Sequence, residues 1–366
     1  LMIIPIGSLD QYRRVVASQE DVLFHYGSCS QSVMHQEIDI IDPGGGATGF
    51  QITATGQGVT VAPSSGTTPA TVRISADPAY FQNIKGTSEI FLKISSPAAI
   101  NLPAPVRVLV NMNEPEQRGA IVNVPGKLVD ILADPVRDRF YVLRQDKNQV
   151  QVYDGSSFTL TGILRTGNTP TQMAMTIDNR HLIVANDNSQ IASVFDLDLL
   201  QPSEHIVFPF GHYPRSVAAS HGAILAAVRG VGEPVGCPDG PGLHTIDRVD
   251  FETRTATTLP TLGVYCNDIA LGTILTPSPD GRMIFAAMDD GRVLLYESDA
   301  GAFVVSREDF AALGGAFAAL PEGVYAVDNF LLNRSLVPYA TLETSSGHPS
   351  GFAFVDGMGL RTTAPS

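Results

Sequence analysis

The pattern of apolar and polar residues repeats along residues 119–211. Each half of this stretch begins with small residues and continues with an apolar run. A turn that contains Asp follows, at 134–139 in the first half and at 177–181 in the second. A short apolar strand, a polar turn and another strand follow, and that last strand ends in Asp154 or Asp196. Four short strands in a period of about 40 residues predict the blades of a β-propeller.

The same unit recurs to the end of the chain. Every unit after the first starts with a similar turn, in which a Gly comes early and a Pro, Cys or aromatic residue lies close behind it. Counted by the start of the inner strand, six units begin near Leu128, Thr171, Arg215, Asn267, Ala316 and Ser350. We therefore expect a propeller of about six blades over residues 114–366.

The last unit supplies only two strands before the sequence stops. A ring closes well when its first and last strands share a blade, because closure removes exposed edges. We predict that residues 1–19 form a strand pair that completes this blade or links to a neighbour. In the composite blade, residues 1–6 are the third strand and 119–124 or 12–16 the fourth. Because the sequence opens inside a predicted strand, we also expect a precursor that begins upstream, and a fragment of a larger repeat protein is the remaining alternative.

Residues 20–113 have a different pattern. Short runs, several of alternating polarity, are separated by Gly or Pro, and no helical period is present. Evenly spaced alternating strands predict a sandwich of two β-sheets. Side chains two residues apart share one face of a strand, which predicts a core that includes Ile90, Leu92, Ile94, Val106, Val108 and Val110. The predicted fold class is therefore all-β, a sandwich joined to a propeller.

The segment at 58–78 reads GVTVAPSSGTTPATVRISADP. It resembles the SPxSGTTPA element of BACON-type immunoglobulin-like modules, which occur in bacterial surface and secreted proteins. The resemblance extends over most of residues 20–113 and implies an immunoglobulin-like sandwich. Such modules are often proposed to bind carbohydrate, and many serve as spacers. Because sugar rings usually stack on aromatic faces and the chain has no Trp, we interpret this module as a spacer.

The turn at 279–282 reads PDGR, and MIFAAMDDGRVLLYESD follows it. This pattern resembles the repeat of YVTN-type and lactonase-like bacterial β-propellers, and the resemblance covers most of residues 119–366. It implies inner strands that are buried as apolar runs and a polar channel. The lactonase-like members use polar and acidic residues around that channel.

The net charge is −14, with 23 Lys and Arg against 37 Asp and Glu. Because no basic cluster interrupts this acidity, the composition argues against a nucleic-acid partner and against an anionic membrane surface. No apolar run approaches the roughly 18 residues that span a bilayer, so we expect no membrane insertion. The opening LMIIPI is too short for a signal peptide.

The chain has three cysteines, Cys29, Cys237 and Cys266. The last two lie in loop-like stretches of neighbouring repeats, and a disulfide between them is expected if the compartment is oxidising. The alternative is two ordinary thiols. Because no CxxC spacing is present, a structural zinc site is not predicted.

Motifs of hydrolases and redox enzymes are absent, since the sequence has no GxSxG, HExxH, phosphate-binding glycine loop or CxxCH. No catalytic residue is therefore assigned. Polar residues that precede or open inner strands should face one mouth of the ring, and these are the ligand-binding candidates: Tyr213, Arg215, Asn267, Asp268 and His348. The alternative is that they satisfy backbone groups in loops.

Asp and Asn recur after the second strand of their units, at Asp187, Asn188, Asp289, Asp290, Asp328 and Asn329. Turn chemistry explains the series, because both residue types tolerate tight turns. A structural calcium ion in one such loop is the alternative. No other cofactor is predicted.

These features predict a noncatalytic interaction protein that is extracellular or on the bacterial cell surface. Its propeller is a binding platform for a protein or a surface polysaccharide, and its sandwich is a spacer. Unpaired end strands favour self-assembly into a filament, because an unpaired edge is a template for another chain. The alternative is a lactonase-like hydrolase that acts at the channel mouth, which carboxylates converging on the channel would favour.

Overall fold

The computed structural model describes residues 12–26, 32–84, 86–101, 103–112, 122–231, 235–237, 240–314, 317–320, 323–342, 348–355 and 358–364. These residues form strands, turns and short 3₁₀ turns but no α-helix, which confirms the predicted all-β fold. The chain divides between Gly126 and Lys127 into two compact units, which we call unit 1 and unit 2. In the described part of the chain, no helix is long and apolar enough to cross a membrane.

The described residues of unit 1 form nine strands: β1 (Val16–Ala17), β2 (Asp21–Tyr26), β3 (Met34–Ile41), β4 (Gly49–Ala54), β5 (Val59–Ala62), β6 (Ser65–Thr67), β7 (Ala70–Ala76), β8 (Gly86–Ser95) and β9 (Val106–Met112). They make two sheets, in the orders β1-β3-β7-β5 and β2-β9-β8-β4-β6. Strands β2 and β9 run parallel, and the other neighbours run antiparallel.

Both sheets of unit 1 bury side chains in one apolar core. Alternate side chains along the strands form this core, among them Phe24 from β2 and Ile38 and Ile40 from β3. The six residues that the sequence predicts for this core are each at most 6% exposed. Burial of one such aliphatic side chain contributes about 1.5–3 kcal/mol relative to exposure. The sandwich of two sheets is therefore stabilised by the predicted faces, and its immunoglobulin-like classification stays a prediction.

The segment before β2 belongs to unit 1. Strand β1 pairs with the end of β3, and Val15, just before β1, is fully buried in the core of unit 1. The second strand of the pair predicted for residues 1–19 thus lies in the sandwich, because the sandwich core provides the apolar surroundings of Val15. Residues 1–11, which include the predicted third strand of the composite blade, lie outside the described residues.

Unit 2 consists of successive groups of antiparallel strands, which we number as blades, and the outer strands of blades 2 and 3 join these two blades into one sheet. Blade 1 contains β10 (Leu128–Ala133), β11 (Arg139–Arg144), β12 (Gln149–Asp154) and β13 (Leu160–Arg165). Blade 2 contains β14 (Pro170–Met175), β15 (His181–Asn186), β16 (Ile191–Asp196), β17 (Gln201–Pro202) and β18 (Ile206–Val207). Blade 3 contains β19 (His212–Ala219), β20 (Ile224–Gly230), the inserted hairpin of β21 (Val235–Cys237) and β22 (Gly240–Gly242), β23 (Thr245–Asp250) and β24 (Thr255–Thr258).

A hairpin of β25 (Thr261–Leu262) and β26 (Tyr265–Cys266) precedes blade 4. Blade 4 contains β27 (Ile274–Pro277), β28 (Met283–Ala287), β29 (Val293–Glu297) and β30 (Ala302–Arg307). Blade 5 contains β31 (Phe317–Ala319), β32 (Tyr325–Val327), β33 (Phe330–Leu332) and β34 (Pro338–Thr341). Blade 6 contains β35 (His348–Val355) and β36 (Met358–Ala364).

The first strand of each blade is its inner strand. The inner strands stand side by side in chain order, from β10 through β14, β19, β27 and β31 to β35. This radial order of sheets is the propeller that the repeats predict. Within the described residues blade 6 has two strands, as the sequence of the last unit indicates.

The second strands of blades 1 to 5 are mostly buried on both faces. In β15, Ile183 and Ala185 enter the core between blades 2 and 3, whereas Leu182 and Val184 enter the core between blades 1 and 2. Strands that are buried on both sides read as unbroken apolar runs. Packing between neighbouring blades therefore accounts for the apolar run that marks each unit in the sequence.

Polar turns join the inner strands of blades 2 and 4 to their second strands. Oγ1 of Thr176 accepts a hydrogen bond from the N–H of His181 at 3.1 Å and donates one to Oδ1 of Asp178 at 2.6 Å. Oγ of Ser278 makes the same two bonds, and its bond to Asp280 is also 2.6 Å long. The recurring Asp of these turns is thus part of the turn itself.

Candidate functional site

The mouth of the ring is the end at which the inner strands begin. Inner strands β10, β14 and β19 each have a bulge near that end, because their pairing with the second strand skips one residue. The skipped residues are Val129, Thr171 and Arg215. A bulge bends a strand and re-aims its side chains, and Arg215 is one of the predicted ligand-binding candidates.

The residue after each bulge connects two inner strands. Asp130 in β10 accepts a hydrogen bond from the N–H of Met173 in β14 at 2.7 Å. Gln172 in β14 accepts one from β19 at 3.0 Å, and Ser216 in β19 accepts one from β27 at 2.7 Å. We call Asp130, Gln172 and Ser216 the bridging residues, because together they join four consecutive inner strands along the channel wall.

Asp130 is the one carboxylate among the bridging residues. Burial raises the pKa of its carboxyl to about 7, although hydrogen bonds from the N–H groups of Met173 and Ile131 oppose this shift. The other two bridging side chains are an amide and a hydroxyl. The bridging positions therefore supply one carboxylate and not the converging set that would favour the hydrolase interpretation.

Two arginines converge on one aspartate at the mouth. Asp187 lies in the loop between β15 and β16, and its Oδ1 accepts a hydrogen bond from Nε of Arg229 at 2.7 Å. Nε of Arg215 lies 3.6 Å from Oδ2 of the same carboxylate. The guanidinium of Arg229 also covers the ring of Tyr213, with Cζ 4.6 Å from the ring centroid. Cation–π contact and ion pairing thus hold Arg229 from two sides.

His244 lies close to these charges. Its Nδ1 accepts a hydrogen bond from the N–H of Gly230 at 3.2 Å. Burial lowers the pKa of His244, and the nearby arginines lower it further, against the opposing effect of Asp268. The imidazole is therefore neutral near pH 7. The mouth cluster consists of Asp187, Tyr213, Arg215, Arg229, His244 and Asp268.

The side-chain amide of Asn267 forms its hydrogen bonds within the fold. Its side chain is 1% exposed, and its Oδ1 accepts a hydrogen bond from the N–H of Ile246 at 2.7 Å. Its Nδ2 donates to the carbonyl oxygens of Ile246 and Leu259 at 2.8 and 2.7 Å. The alternative interpretation, a loop residue that satisfies backbone groups, therefore describes Asn267. Asp268, the next residue, is half-buried and belongs to the mouth cluster.

The remaining sequence candidates are placed only in part. His348 opens β35, where its backbone pairs with Ala364, and its side chain lies outside the described residues. Cys266 lies in β26 and is disulfide-bonded. The side chain of Cys237 lies outside the described residues, so the pairing of these two cysteines stays a prediction.

The Asp and Asn residues that recur after the second strands, for which calcium binding is the alternative to turn chemistry, have other partners or fit tight turns. Asp187 pairs with two arginines, and Nη2 of Arg292 lies 2.7 Å from Oδ2 of Asp290. Asp328 has a φ of 51°, a left-handed conformation that Asp tolerates in turns. Among the residues that the structure describes, no group of three or more His, Cys, Asp or Glu side chains is placed to hold a metal ion.

A His–Asp pair lies in blade 3 beside the mouth cluster, with a partly exposed imidazole and a buried carboxylate. Nδ1 of His212, the first residue of β19, is 2.7 Å from Oδ2 of Asp247. The Asp247 side chain is fully buried, and its Oδ1 accepts a hydrogen bond from the hydroxyl of Thr245 at 3.0 Å. The carboxylate therefore orients the imidazole, so that Nε2 is the nitrogen left to accept a proton.

Sequence reasoning missed the bridging residues, Arg229, His244 and the His212–Asp247 pair. A usable signal existed for the bridging residues, since they are polar and occupy the same position in three successive units. The residue pairs in contact lie one repeat apart, 43 residues for Asp130 and Met173 and 42 for Asp187 and Arg229. Alignment of the units would have placed these positions side by side.

No protein-family model matches the sequence, and no curated protein matches it. The solved structure described as Kuenenia stuttgartiensis hydrazine synthase is similar to this chain, with a TM-score of 0.48 and 18% sequence identity. The similarity covers 67% of this chain and 75% of that one. We draw no functional conclusion from so distant a similarity, and membership of the BACON and YVTN families stays a prediction.

Proposed function

We propose that this chain is a noncatalytic interaction protein, extracellular or on the bacterial cell surface. Its propeller is the binding platform, its sandwich is the spacer, and its partner is a protein or a surface polysaccharide. Two resemblances support this proposal, that of 58–78 to BACON-type modules and that of 279–282 to YVTN-type propellers. The mouth cluster is the surface that we assign to binding.

The observation that carries the proposal is the convergence of Arg215 and Arg229 on Asp187. Both guanidinium groups have defined positions before a ligand arrives, and a preorganised surface loses less side-chain entropy on binding. Arginine suits such a surface because its planar group forms bidentate hydrogen bonds and stacks on aromatic rings. In a chain of net charge −14, two adjacent arginines favour a ligand that carries acidic or hydroxyl groups.

The experiment is a binding measurement on an array of neutral and acidic bacterial surface polysaccharides. We compare the wild type with a double variant, Arg215→Gln and Arg229→Gln. Arg180→Gln is the matched control, because Arg180 is exposed at the opposite end of blade 2. The wild type and the control should bind an acidic polysaccharide, and the double variant at least tenfold more weakly. Equal binding by the double variant would refute the assignment of the mouth cluster, and no binding by the wild type would exclude these polysaccharides as partners.

The His212–Asp247 pair favours a second candidate function, the hydrolysis of a lactone or ester. Nε2 of His212 would take a proton from a water molecule as its oxygen bonds to the carbonyl carbon. The imidazolium, stabilised by the buried Asp247 carboxylate, would then return that proton to the leaving alkoxide. This geometry supplies a general base, and the oxygen donors that would stabilise the tetrahedral intermediate are not assigned.

Hydrolysis is tested with a panel of lactones and activated esters. If the second candidate is correct, the wild type turns over at least one substrate, and His212→Gln lowers kcat/KM at least 100-fold. Asp247→Asn should lower kcat more than it raises KM, because Asp247 orients the base and does not touch the substrate. Turnover that persists in His212→Gln, or no turnover by the wild type, would reject the hydrolase.

Two finer proposals concern assembly and oxidation. We propose that Cys237 pairs with Cys266, and peptide mapping without reductant should recover the two linked peptides. We also propose self-assembly through the end strands, which light scattering should detect as particles larger than a monomer. A free thiol at Cys237 would contradict the first proposal, and a monomer at all concentrations would contradict the second.

A further inference from the structure

A cleft lies on the mouth side of unit 2, between the end of β30 and the turn that joins β32 to β33. Its volume is about 490 Å³, and its main lining residues are Arg307, Asp309, Phe310, Asp328, Asn329 and Phe330. A cleft of this volume is in the range of known ligand sites. It shares no residue with the mouth cluster, so it is a separate site and its test is independent of the test of the proposed function.

Two aromatic rings form one wall of the cleft. The ring centroids of Phe310 and Phe330 lie 5.3 Å apart, and the ring planes are inclined by 53°. Both side chains are half-buried, so each ring is partly supported by the fold and partly accessible. Aromatic faces attract cations through their quadrupole and also accommodate the apolar stem of a long side chain.

Two carboxylates line the cleft, Asp309 and Asp328, and Arg361 donates a hydrogen bond to Oδ1 of Asn329 beside the second. Arg307 forms an ion pair with Asp309, so these two charges neutralise each other. The Asp328 carboxylate has no ion pair or hydrogen bond within the described part of the chain. The Asp328–Asn329 turn is tight, because Val327 pairs directly with Phe330 across it. The carboxylate and the Phe330 ring therefore start from neighbouring, fixed points of the backbone.

We propose that this cleft binds a lysine side chain of a basic segment of a partner protein. The alkyl stem packs on Phe310 and Phe330, and the ammonium group pairs with Asp328. The Asp328 carboxylate and the aromatic faces both attract a cation. A neutral sugar would satisfy the rings but leave the Asp328 carboxylate without an ion pair. The charge of the whole chain, −14, favours a basic partner in the same sense.

The probes are two capped tripeptides, acetyl-Gly-Lys-Gly-amide and its norleucine counterpart, which share a four-carbon stem and differ in the ammonium group. Their dissociation constants are measured by saturation-transfer difference NMR with the whole chain. The lysine peptide should bind at least fivefold more tightly than the norleucine peptide. Asp328→Asn should remove this preference, since Asn also adopts the left-handed conformation at this position. Phe330→Leu should weaken both peptides, because it removes a ring from the wall.

Two controls separate this site from general charge effects. Asp299→Asn removes the same charge at an exposed turn and should leave both dissociation constants unchanged. The double variant of Arg215 and Arg229 should retain lysine binding, because the cleft lies outside the mouth cluster. Circular dichroism and thermal unfolding establish that each variant is folded before its affinity is compared.

Three outcomes would overturn the proposal. Equal affinity of the wild type for both peptides would mean that the cleft binds only the apolar stem and does not recognise the ammonium group. Tight binding of maltopentaose that is unchanged in Asp328→Asn would identify a saccharide site instead. No binding of the lysine peptide at millimolar concentration would exclude a lysine side chain as the ligand.

Discussion

Replacement of Asp130 by Asn tests the electrostatics of the channel wall. Asn has nearly the same size and is uncharged at every pH, and its amide oxygen can accept the hydrogen bond that Met173 now donates to Asp130. In the wild type, burial raises the pKa of Asp130 from 3.8 to about 7. The substitution therefore removes one titration from the folded protein while it keeps the bridge between β10 and β14.

The sign of the effect follows from where the proton is held. Between pH 4 and pH 7 the folded protein keeps a proton on Asp130 that the unfolded chain has released, so stability falls as the pH rises through this window and is constant above it. One pKa unit corresponds to about 1.4 kcal/mol, and the full shift to about 4 kcal/mol. Because Asp130 is only half-buried and water screens part of the cost, we expect about 2 kcal/mol.

The measurement is urea unfolding at intervals from pH 4 to pH 8, followed by circular dichroism. The free energy of unfolding of Asp130→Asn minus that of the wild type should increase by about 2 kcal/mol over this range. Asp154→Asn is the matched control. Hydrogen bonds from Ser157 and Ser156 lower the pKa of Asp154 to about 2, so its stabilisation is lost only as the pH falls from 4 towards 2. Its difference from the wild type should therefore stay constant between pH 4 and pH 8.

Parallel stability curves for the wild type and Asp130→Asn would refute this reasoning, because Asp130 would then ionise in the folded protein as it does in water. A difference that shrinks as the pH rises would refute it more strongly. In that case the ionised carboxylate would stabilise the fold, and the hydrogen bonds to it would outweigh its burial.

Three other substitutions test contacts within unit 2. Arg137→Gln should lower the free energy of unfolding by about 3 kcal/mol, because the buried Asp134 carboxylate loses its guanidinium partner; unchanged urea stability would contradict this. Asn267→Ala should cost about 3 kcal/mol in the same assay, since the N–H of Ile246 and the carbonyl oxygen of Leu259 lose their side-chain partner, and a loss near zero would make Asn267 a ligand candidate again. Gly291→Ala should lower Tm more than Gly301→Ala in thermal unfolding, because both have positive φ but only the first Cβ would overlap a carbonyl oxygen; equal shifts would contradict it.

The blades could be predicted because each one signals itself locally. A second strand such as β15 is an unbroken apolar run, and the turn before it carries a hydroxyl and Asp at fixed offsets, as at Thr176 and Asp178. Packing between blades selects the apolar run, and turn geometry selects the hydroxyl and Asp that recur in blades 2 and 4. The sandwich core was predictable for a similar reason, since strand alternation alone places Val106, Val108 and Val110 on one face.

The position of β1 could not be predicted in this way. Two apolar residues in a short strand fit either a blade or a sandwich, and the sequence contains no signal that chooses between them. The choice depends on the burial of Val15 against strands far along the chain. Short strands of this kind are placed by tertiary packing rather than by their own pattern.

The candidate site was predictable only at the level of loops. Sequence reasoning selected Asn267 and Asp268 together, because both are polar and precede the same inner strand. The structure separates them, since the amide of Asn267 matches backbone groups around Ile246 whereas Asp268 lies beside His244. The hydrogen-bond donors and acceptors that Asn267 meets belong to another blade, so the local sequence cannot predict them.

The bulges connect the pairing of neighbouring inner strands to the chemistry of the mouth. Thr171, the skipped residue of β14, donates a hydrogen bond from its hydroxyl to the carbonyl oxygen of Arg215 at 2.6 Å, so blade 2 fixes the backbone from which the Arg215 guanidinium extends. Gln172, the next residue, accepts the hydrogen bond that joins β14 to β19. The bulge in β14 thus supplies two adjacent side chains, of which one fixes the backbone at Arg215 and the other joins β14 to β19. Because this bulge recurs in the first three blades, contacts at the mouth join residues 42–44 positions apart, and the mouth surface is built by the repeat rather than by a contiguous motif.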